Sequence, residues 1–340
     1  MNPSVSRFVC SVFVLLSARA APAAAQQLIT RTPPVSVTLI GVHAVDDRVV
    51  WASGQRGTWV RTTDGGATWT TGRVPGADTL EFRDVHAVSA DTAWLLSIGN
   101  GPASRIYRTN DGGQTWSTQF VATDQRVFLD CFGFWDNRRA LATSDTFEGR
   151  FLILSTDDGG ARWQAIPGER FPPARKGEGM FAASGTCLVT LGTGHAWITT
   201  TAEGFSRILR TRDGGRTWAE SVPPLPSASA TIAMTDTLTG LLISSGIDDT
   251  QAVGNNVAKT ADGGATWTLA GRVPDPVYGA AVKPGSETVI ATGPKGSHIS
   301  FDGGRNWRPL SPENHWSVTF SPGGTGWMVG AKGRITRVEF

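Results

Sequence analysis

Apolar residues in this chain come in short runs that alternate with polar ones, each run bounded by Gly-, Asp- or Asn-containing turns, the pattern of half-buried β-strands. The first unit shows it: 42–45 (VHAV), 49–52 (VVWA), 57–61 (GTWVR) and the segment after Trp69 read as an innermost, a second, a third and an outermost strand. Sliding that template along the chain finds further innermost strands near 85–88, 132–135, 188–191, 232–234, 279–282 and 317–320, which makes seven units. Helical spacing is absent after the N-terminal segment.

Six of the seven units carry one eight-residue phrase between the third and fourth strands: TTDGGATW (62–69), TNDGGQTW (109–116), TDDGGARW (156–163), TRDGGRTW (211–218), TADGGATW (260–267) and SFDGGRNW (300–307). Its chemistry is that of a folded turn. A short carboxylate accepts backbone N–H bonds, two glycines permit positive φ, and the Trp anchors the hairpin against its neighbours. Asp64, Asp111, Asp158, Asp213, Asp262 and Asp302 lie 47, 47, 55, 49 and 40 residues apart, a period that suits one four-stranded sheet per repeat. These aspartates are expected to be structural. The seventh unit has no phrase and runs 316–320, 326–330 and 333–338 before the chain stops, so the segment 27–31 is expected to return and supply its fourth strand. The fold expected is all-β: a seven-bladed β-propeller of four-stranded antiparallel blades, closed by an N-terminal strand.

Composition changes this picture little, except at the start of the chain. Arg7 precedes the apolar run 8–16, and Ala23-Ala24-Ala25 before Gln26 has the form of a signal-peptidase site. Residues 1–25 therefore read as a signal peptide cut after Ala25, with 26–340 as one domain and a secreted or periplasmic destination. The run is too short to span a bilayer. Removing it takes away Arg7 and Arg19 and leaves 29 basic and 29 acidic side chains, a balance that points to neither nucleic acid nor an anionic membrane. Cys131 and Cys187 are then the only cysteines, at equivalent positions on neighbouring innermost strands, and are a candidate disulfide; separate thiols are the alternative.

The phrase, written S/T-x-D-x-G-x-T/S-W, resembles the Asp-box of the BNR-repeat proteins, a family that includes sialidases and the photosystem II stability/assembly factor-like propellers. Arg162 and Asn306 depart from the usual Thr. The resemblance extends over essentially all of 35–340 and is nearest to the assembly factor-like group, through the phrase and a Gly-x-x-Gly turn that leads into the third strand. It implies that the boxes lie away from the functional mouth. It also implies a mode of action, a rigid disc that holds a partner polypeptide without catalysis. For the sialidases it implies three arginines, a Tyr nucleophile with a supporting Glu, and an Asp acid. Of the two tyrosines, Tyr107 falls in a blade-packing slot and only Tyr278 can face the mouth, and no Arg-Ile-Pro sequence stands near the first blade.

In a propeller, the loops between blades and those between second and third strands share one face. Here they include Gln55-Arg56, Asn100-Gly101, 145–150, Glu203-Gly204, 248–256, Lys295 and Lys332. Aligning the repeats places Gly41, Asp84, Cys131, Cys187, Ala230, Tyr278 and Trp316 at the mouth ends of the innermost strands, with Arg83, Asp130, Lys176, Glu178 and His315 beside them. Arg83, Asp84, Asp130, Glu178, Tyr278 and Trp316 are the candidate binding residues, suited to a peptide or a sugar. A pair such as Asp84 with Asp130 or Glu178 would suit a glycosidase. No nucleotide loop, nucleophile elbow or metal spacing occurs, so no cofactor and no metal are expected. His43 and His86 hold equivalent positions and read as repeat packing. The reading is an exported, non-catalytic, monomeric scaffold for a protein or peptide partner, with an exo-glycosidase at the mouth as the alternative and a glycan as the alternative partner.

Overall fold

The computed structural model describes residues 26–31, 33–202, 205–225, 229–245 and 254–340; the expected signal segment 1–25, the loop residues Glu203-Gly204 and 248–253 lie outside them. Seven antiparallel sheets of four strands each are arranged in chain order. Blade 1 spans 39–73, blade 2 81–121, blade 3 129–165, blade 4 188–221, blade 5 229–271, blade 6 279–311 and blade 7 315–339. The described residues hold no α-helix, only three single 3-10 turns. Because both faces of every sheet are apolar, each blade is buried by the next: Trp51 and Trp59 of blade 1 share a cluster with Phe82, Leu95 and Tyr107 of blade 2.

Blade 7 takes its outermost strand from the other end of the chain. Gln27–Arg31 pairs antiparallel with Ile335–Glu339, Gln27 opposite Glu339 and Arg31 opposite Ile335. Leu28 packs against the cluster that holds Met328 and Val338, and the pairing leaves no raw edge where the ring closes.

The repeated phrase is a self-satisfied turn. In its first copy the Asp64 carboxylate accepts the Thr68 N–H at 2.9 Å, the Thr68 hydroxyl at 2.6 Å and the Thr62 hydroxyl at 2.8 Å, while Thr62 Oγ1 accepts the Gly66 N–H at 2.9 Å. These donors, the Thr68 hydroxyl foremost, hold the Asp64 carboxyl at about 2. Asp111 is lowered to about 2 in the same way, foremost by the Thr115 hydroxyl. Both glycines adopt positive φ, 74° and 86° in the first copy. The phrase tryptophans are mostly half-buried; the fully buried ones are Trp51, Trp94, Trp197 and Trp327 of the second strands.

Those second-strand tryptophans show how blades are fastened. Trp51, Trp94, Trp197 and Trp327 stand directly opposite Arg61, Arg108, Arg210 and Arg337 on the third strands. Arg61, Arg108 and Arg337 lie 5.4, 5.0 and 5.7 Å from the indole centroids, in cation–π range. The same guanidinium groups then reach the next blade, Arg61 donating to Ala90 O at 2.6 Å and Arg108 to Gly159 O at 3.2 Å. From blade 4 it is Arg212 that crosses, donating to Asp262 O at 2.9 Å.

Candidate functional site

The phrase turns lie at the end of each blade opposite the connections between blades, and those connections define the mouth. One connection is exceptional. Between blades 3 and 4 the chain takes the long path 166–187, which accounts for the widest spacing between phrases, Asp158 to Asp213. At its root Gly179 forms a two-way backbone bridge with Thr201, and Met180 N–H donates to Asp145 Oδ1 at 2.8 Å. The chain then crosses the axis. Ala182 O accepts from Arg83 of blade 2 at 2.7 Å, and Phe181 lies 6.1 Å from the Tyr278 ring. Ser184 donates to Tyr278 O at 2.6 Å, and Thr186 O accepts from Ile232 of blade 5 at 3.2 Å. A segment that touches blades 2, 5 and 6 within six residues is a plug over the central channel.

Gly185 is required where the plug passes Asp84. Its φ is 75°, and an added Cβ would run into the Asp84 carboxyl. Cys187, at the end of the plug, is joined to Cys131 by a disulfide with the Cα atoms 6.1 Å apart.

The six candidate residues divide into two groups. Arg83, Tyr278 and Trp316 meet beside the plug: the Arg83 guanidinium lies 5.3 Å from the Trp316 ring, and the Tyr278 and Trp316 rings are 4.8 Å apart. All three are half-buried, as is Phe181. Arg83 is fixed by Glu81 Oε1 at 2.6 Å as well as by Ala182 O. The result is an aromatic and guanidinium patch spread over blades 2, 6 and 7.

Asp84, Asp130 and Glu178 do not present themselves at the mouth. Asp84 accepts the Val85 N–H at 2.9 Å and the Phe132 N–H at 3.0 Å beneath the plug, and burial pushes its carboxyl well up. Asp130 is 1% exposed; burial and then the Asp145 charge raise it, and its Oδ2 has no partner. Glu178 lies with Arg207 in a buried ion pair, accepting from Arg207 Nε at 2.8 Å, Arg175 N–H at 2.8 Å and the Thr200 hydroxyl. It anchors the plug's root. With one carboxylate under the plug and another neutralised by arginine, the expected pairing of Asp84 with Asp130 or Glu178 has no open face toward a substrate.

The alignment of mouth positions also needs correction at three places. Gly41, Asp84, Cys131 and Cys187 occupy one position, but the register puts Thr231, Gly279 and Ser317 there, not Ala230, Tyr278 and Trp316. Trp316 is the extra residue of a β-bulge between His315 and Ser317, as Arg83 is between Phe82 and Asp84. The bulge is what aims both at one patch. Tyr107 is a packing residue, edge-on to Phe82 at 5.6 Å. His43 and His86 are in ring contact at 4.4 Å, and His86 stacks on Phe134 at 4.5 Å; burial holds the His43 imidazole at about 4, so it is neutral. The residues missed by the sequence reading are those of the plug, Phe181 to Gly185, whose one signal was the long spacing. Among the described residues no cluster of His, Cys, Asp or Glu is suited to a metal, and no helix is long and apolar enough to cross a membrane.

No family model and no curated protein matches this chain. Solved structures match its fold at low sequence identity. A structure of YCF48 bound to D1 peptide is 18% identical with TM-score 0.65, covering 92% of this chain and 97% of that one. YCF48 from Cyanidioschyzon merolae is 17% identical with TM-score 0.64, covering 91% and 98%. The GH74 xyloglucanase from Xanthomonas campestris is 18% identical with TM-score 0.61, covering 91% of this chain and 53% of that one, so this chain spans about half of that enzyme.

Proposed function

We propose that this protein is an exported, non-catalytic propeller of the Asp-box kind that holds a segment of a partner polypeptide on its mouth face, against Arg83, Phe181, Tyr278 and Trp316. The observation that carries the reading is the plug. It passes directly over the Asp84 carboxyl and leaves beside it a patch of rings and one guanidinium, the groups that anchor protein interfaces. A pocket-forming exo-glycosidase is correspondingly disfavoured, since Asp84, Asp130 and Glu178 are each committed to the interior. The YCF48 structure bound to a peptide, matched over nearly the whole of both chains, supports the mode without naming the partner. Export is supported by the 1–25 segment and by the Cys131–Cys187 bond, which persists in oxidising compartments.

The test is co-purification from the exporting compartment, followed by binding measurements on the partner obtained. Trp316→Ala and Arg83→Ala should each weaken binding by about 1–3 kcal/mol while the melting temperature stays near that of the parent. Normal binding by both variants, with loss caused instead by substitutions on the outermost strands, would end the mouth assignment. Hydrolysis of a glycan abolished by Asp84→Asn would favour the enzyme.

A further inference from the structure

The fastening between blades is repeated at every seam that meets a phrase turn, except one. At five turns the first glycine has a cationic side chain of the preceding blade within 4 Å of where a Cβ would stand: Arg337 at Gly65, Arg61 at Gly112, Arg108 at Gly159, Arg212 at Gly263 and Lys259 at Gly303. At the sixth, Gly214, nothing lies within that distance. The cause is local sequence. Blade 3 has Leu141 opposite Ser155 where blades 1, 2, 4 and 7 pair Trp with Arg and blade 5 pairs Leu241 with Lys259, and Asp157 stands where blade 4 has Arg212. The space left is a groove of about 790 Å³ on the face opposite the mouth, lined by Ser155, Asp157, Trp135 and Gly214 among others.

Trp135 donates to His195 O at 2.7 Å and Arg139 to Thr193 O at 2.8 Å across this seam, but the turn carbonyl of Gly214 keeps its place as an acceptor without the donor the other turns have. The carbonyls of Gly65 and Gly159 accept from arginine, and those of Gly159 and Gly263 from an indole N–H; Gly214 O receives neither among the described residues. Arg162 replaces the Thr or Asn that caps the aspartate in the other phrases, so among the described residues no side-chain hydrogen-bond donor meets Asp158 Oδ2, and none meets the Asp157 carboxylate. Four arginines also border the groove: Arg162 lowers the Asp158 carboxyl, foremost by its backbone N–H and also by its charge, without a side-chain hydrogen bond, and the other three are engaged by hydrogen bonds. Arg139 pairs with Asp136 and donates to Thr193 O, Arg212 donates to Asp262 O, and Arg216 donates to Asp213 O.

We infer that the groove between blades 3 and 4 accepts an arginine side chain of a partner polypeptide, which takes the place left empty by Ser155 and donates to the turn carbonyls and to Asp157 and Asp158. The five filled seams are the precedent, four of them with arginine, whose planar fork suits several oxygen acceptors at once. The groove is larger than one guanidinium group and has room for the backbone that carries it. This contact lies on the face away from Arg83 and Trp316 and stands independently of the mouth assignment.

The probe is the tripeptide Gly-Arg-Gly, titrated into isotope-labelled protein and followed by NMR, with Gly-citrulline-Gly and Gly-Glu-Gly as controls. Gly-Arg-Gly should shift the amides of Ser155, Asp157 and Gly214 with a Kd on the order of 1–10 mM, and the citrulline peptide should bind about tenfold more weakly. Ser155→Arg should fill the groove from within, abolish the shifts and raise the melting temperature by about 2 °C. Ser155→Lys, which copies the cation that Lys259 supplies at Gly303, serves if that variant folds poorly. Equal or stronger binding of Gly-Glu-Gly would make this an anion groove and overturn the proposal. So would undiminished Gly-Arg-Gly binding to Ser155→Arg, or no saturable shift at all.

Discussion

Replacing Trp94 by Ala should be among the most damaging single changes in the ring. The side chain is fully buried, lies 4.6 Å from Phe134, donates to Gly159 O of the next blade at 3.0 Å and carries Arg108 on its face. Truncation of a buried Trp costs about 3–5 kcal/mol through lost transfer and the cavity left behind. The cation–π contact adds about 0.5–1 kcal/mol. Gly159 O loses one donor but keeps Arg108, so the hydrogen-bond loss is limited. A total near 5 kcal/mol follows, and Trp94→Phe, which keeps a ring and removes the N–H, should cost about 1–2 kcal/mol. Trp116 is the control: half-buried, with an indole N–H that has no partner, it should cost about half as much as Trp94 when truncated. Urea denaturation followed by circular dichroism reads the midpoints, provided that m is unchanged. If Trp94→Ala and Trp116→Ala shift the midpoint equally, the seam tryptophans do not carry the ring as argued.

Deleting 26–34 removes the strand opposite Ile335–Glu339 and should lower the melting temperature clearly; an unchanged melt would mean that the ring closes without it. The Cys131–Cys187 bond closes a separation of 56 residues, so Cys187→Ser should cost up to about 4 kcal/mol by loop entropy, and two titratable thiols in the unfolded, unreduced protein would refute the bond. His43 and His315 are both held at about 4, foremost by burial. A histidine lowered in the fold contributes stability that is complete above about 6.5 and is lost as pH falls toward 4, so the unfolding free energy read from urea denaturation should drop across that window, by up to about 3 kcal/mol for each imidazole. A flat profile from 6.5 to 4 would contradict their burial as neutral groups.

The fold was legible because its information is local and repeated. The DGG phrase specifies a turn by hydrogen bonds that close within itself, as at Thr62, Asp64 and Thr68, and alternation then gives the strands on either side. Even the strand at Gln27–Arg31 was legible, as the piece that the seventh unit lacked. The mouth was not legible to the same degree. Side-chain period in a strand is two, so one bulge residue, Trp316, moves a position out of alignment with Gly41 without altering the apolar pattern. Charge in the sequence also says nothing of desolvation. Glu178 and Asp84 read as surface acids until the path of 166–187 across the axis is known, and that path is set by contacts with blades 2, 5 and 6, far apart in sequence.

The seam of blades 3 and 4 departs from the repeat at both of its ends. On the phrase face Leu141 and Ser155 stand where blades 1, 2, 4 and 7 have Trp and Arg, and Arg162 replaces the Thr that caps the phrase aspartate; on the mouth face the same two blades carry the long connection and the disulfide. In a ring each blade is held chiefly by its two neighbours, so a seam with no cation at its phrase turn relies on its other links, here Trp135 donating to His195 O and Arg139 to Thr193 O, and a covalent link across that seam strengthens it. The bond from Cys131 to Cys187 does so from the mouth end and leaves the phrase end open. A closed ring can therefore keep an unfilled groove between two blades without parting there, which is the structural condition for using that groove to receive another chain.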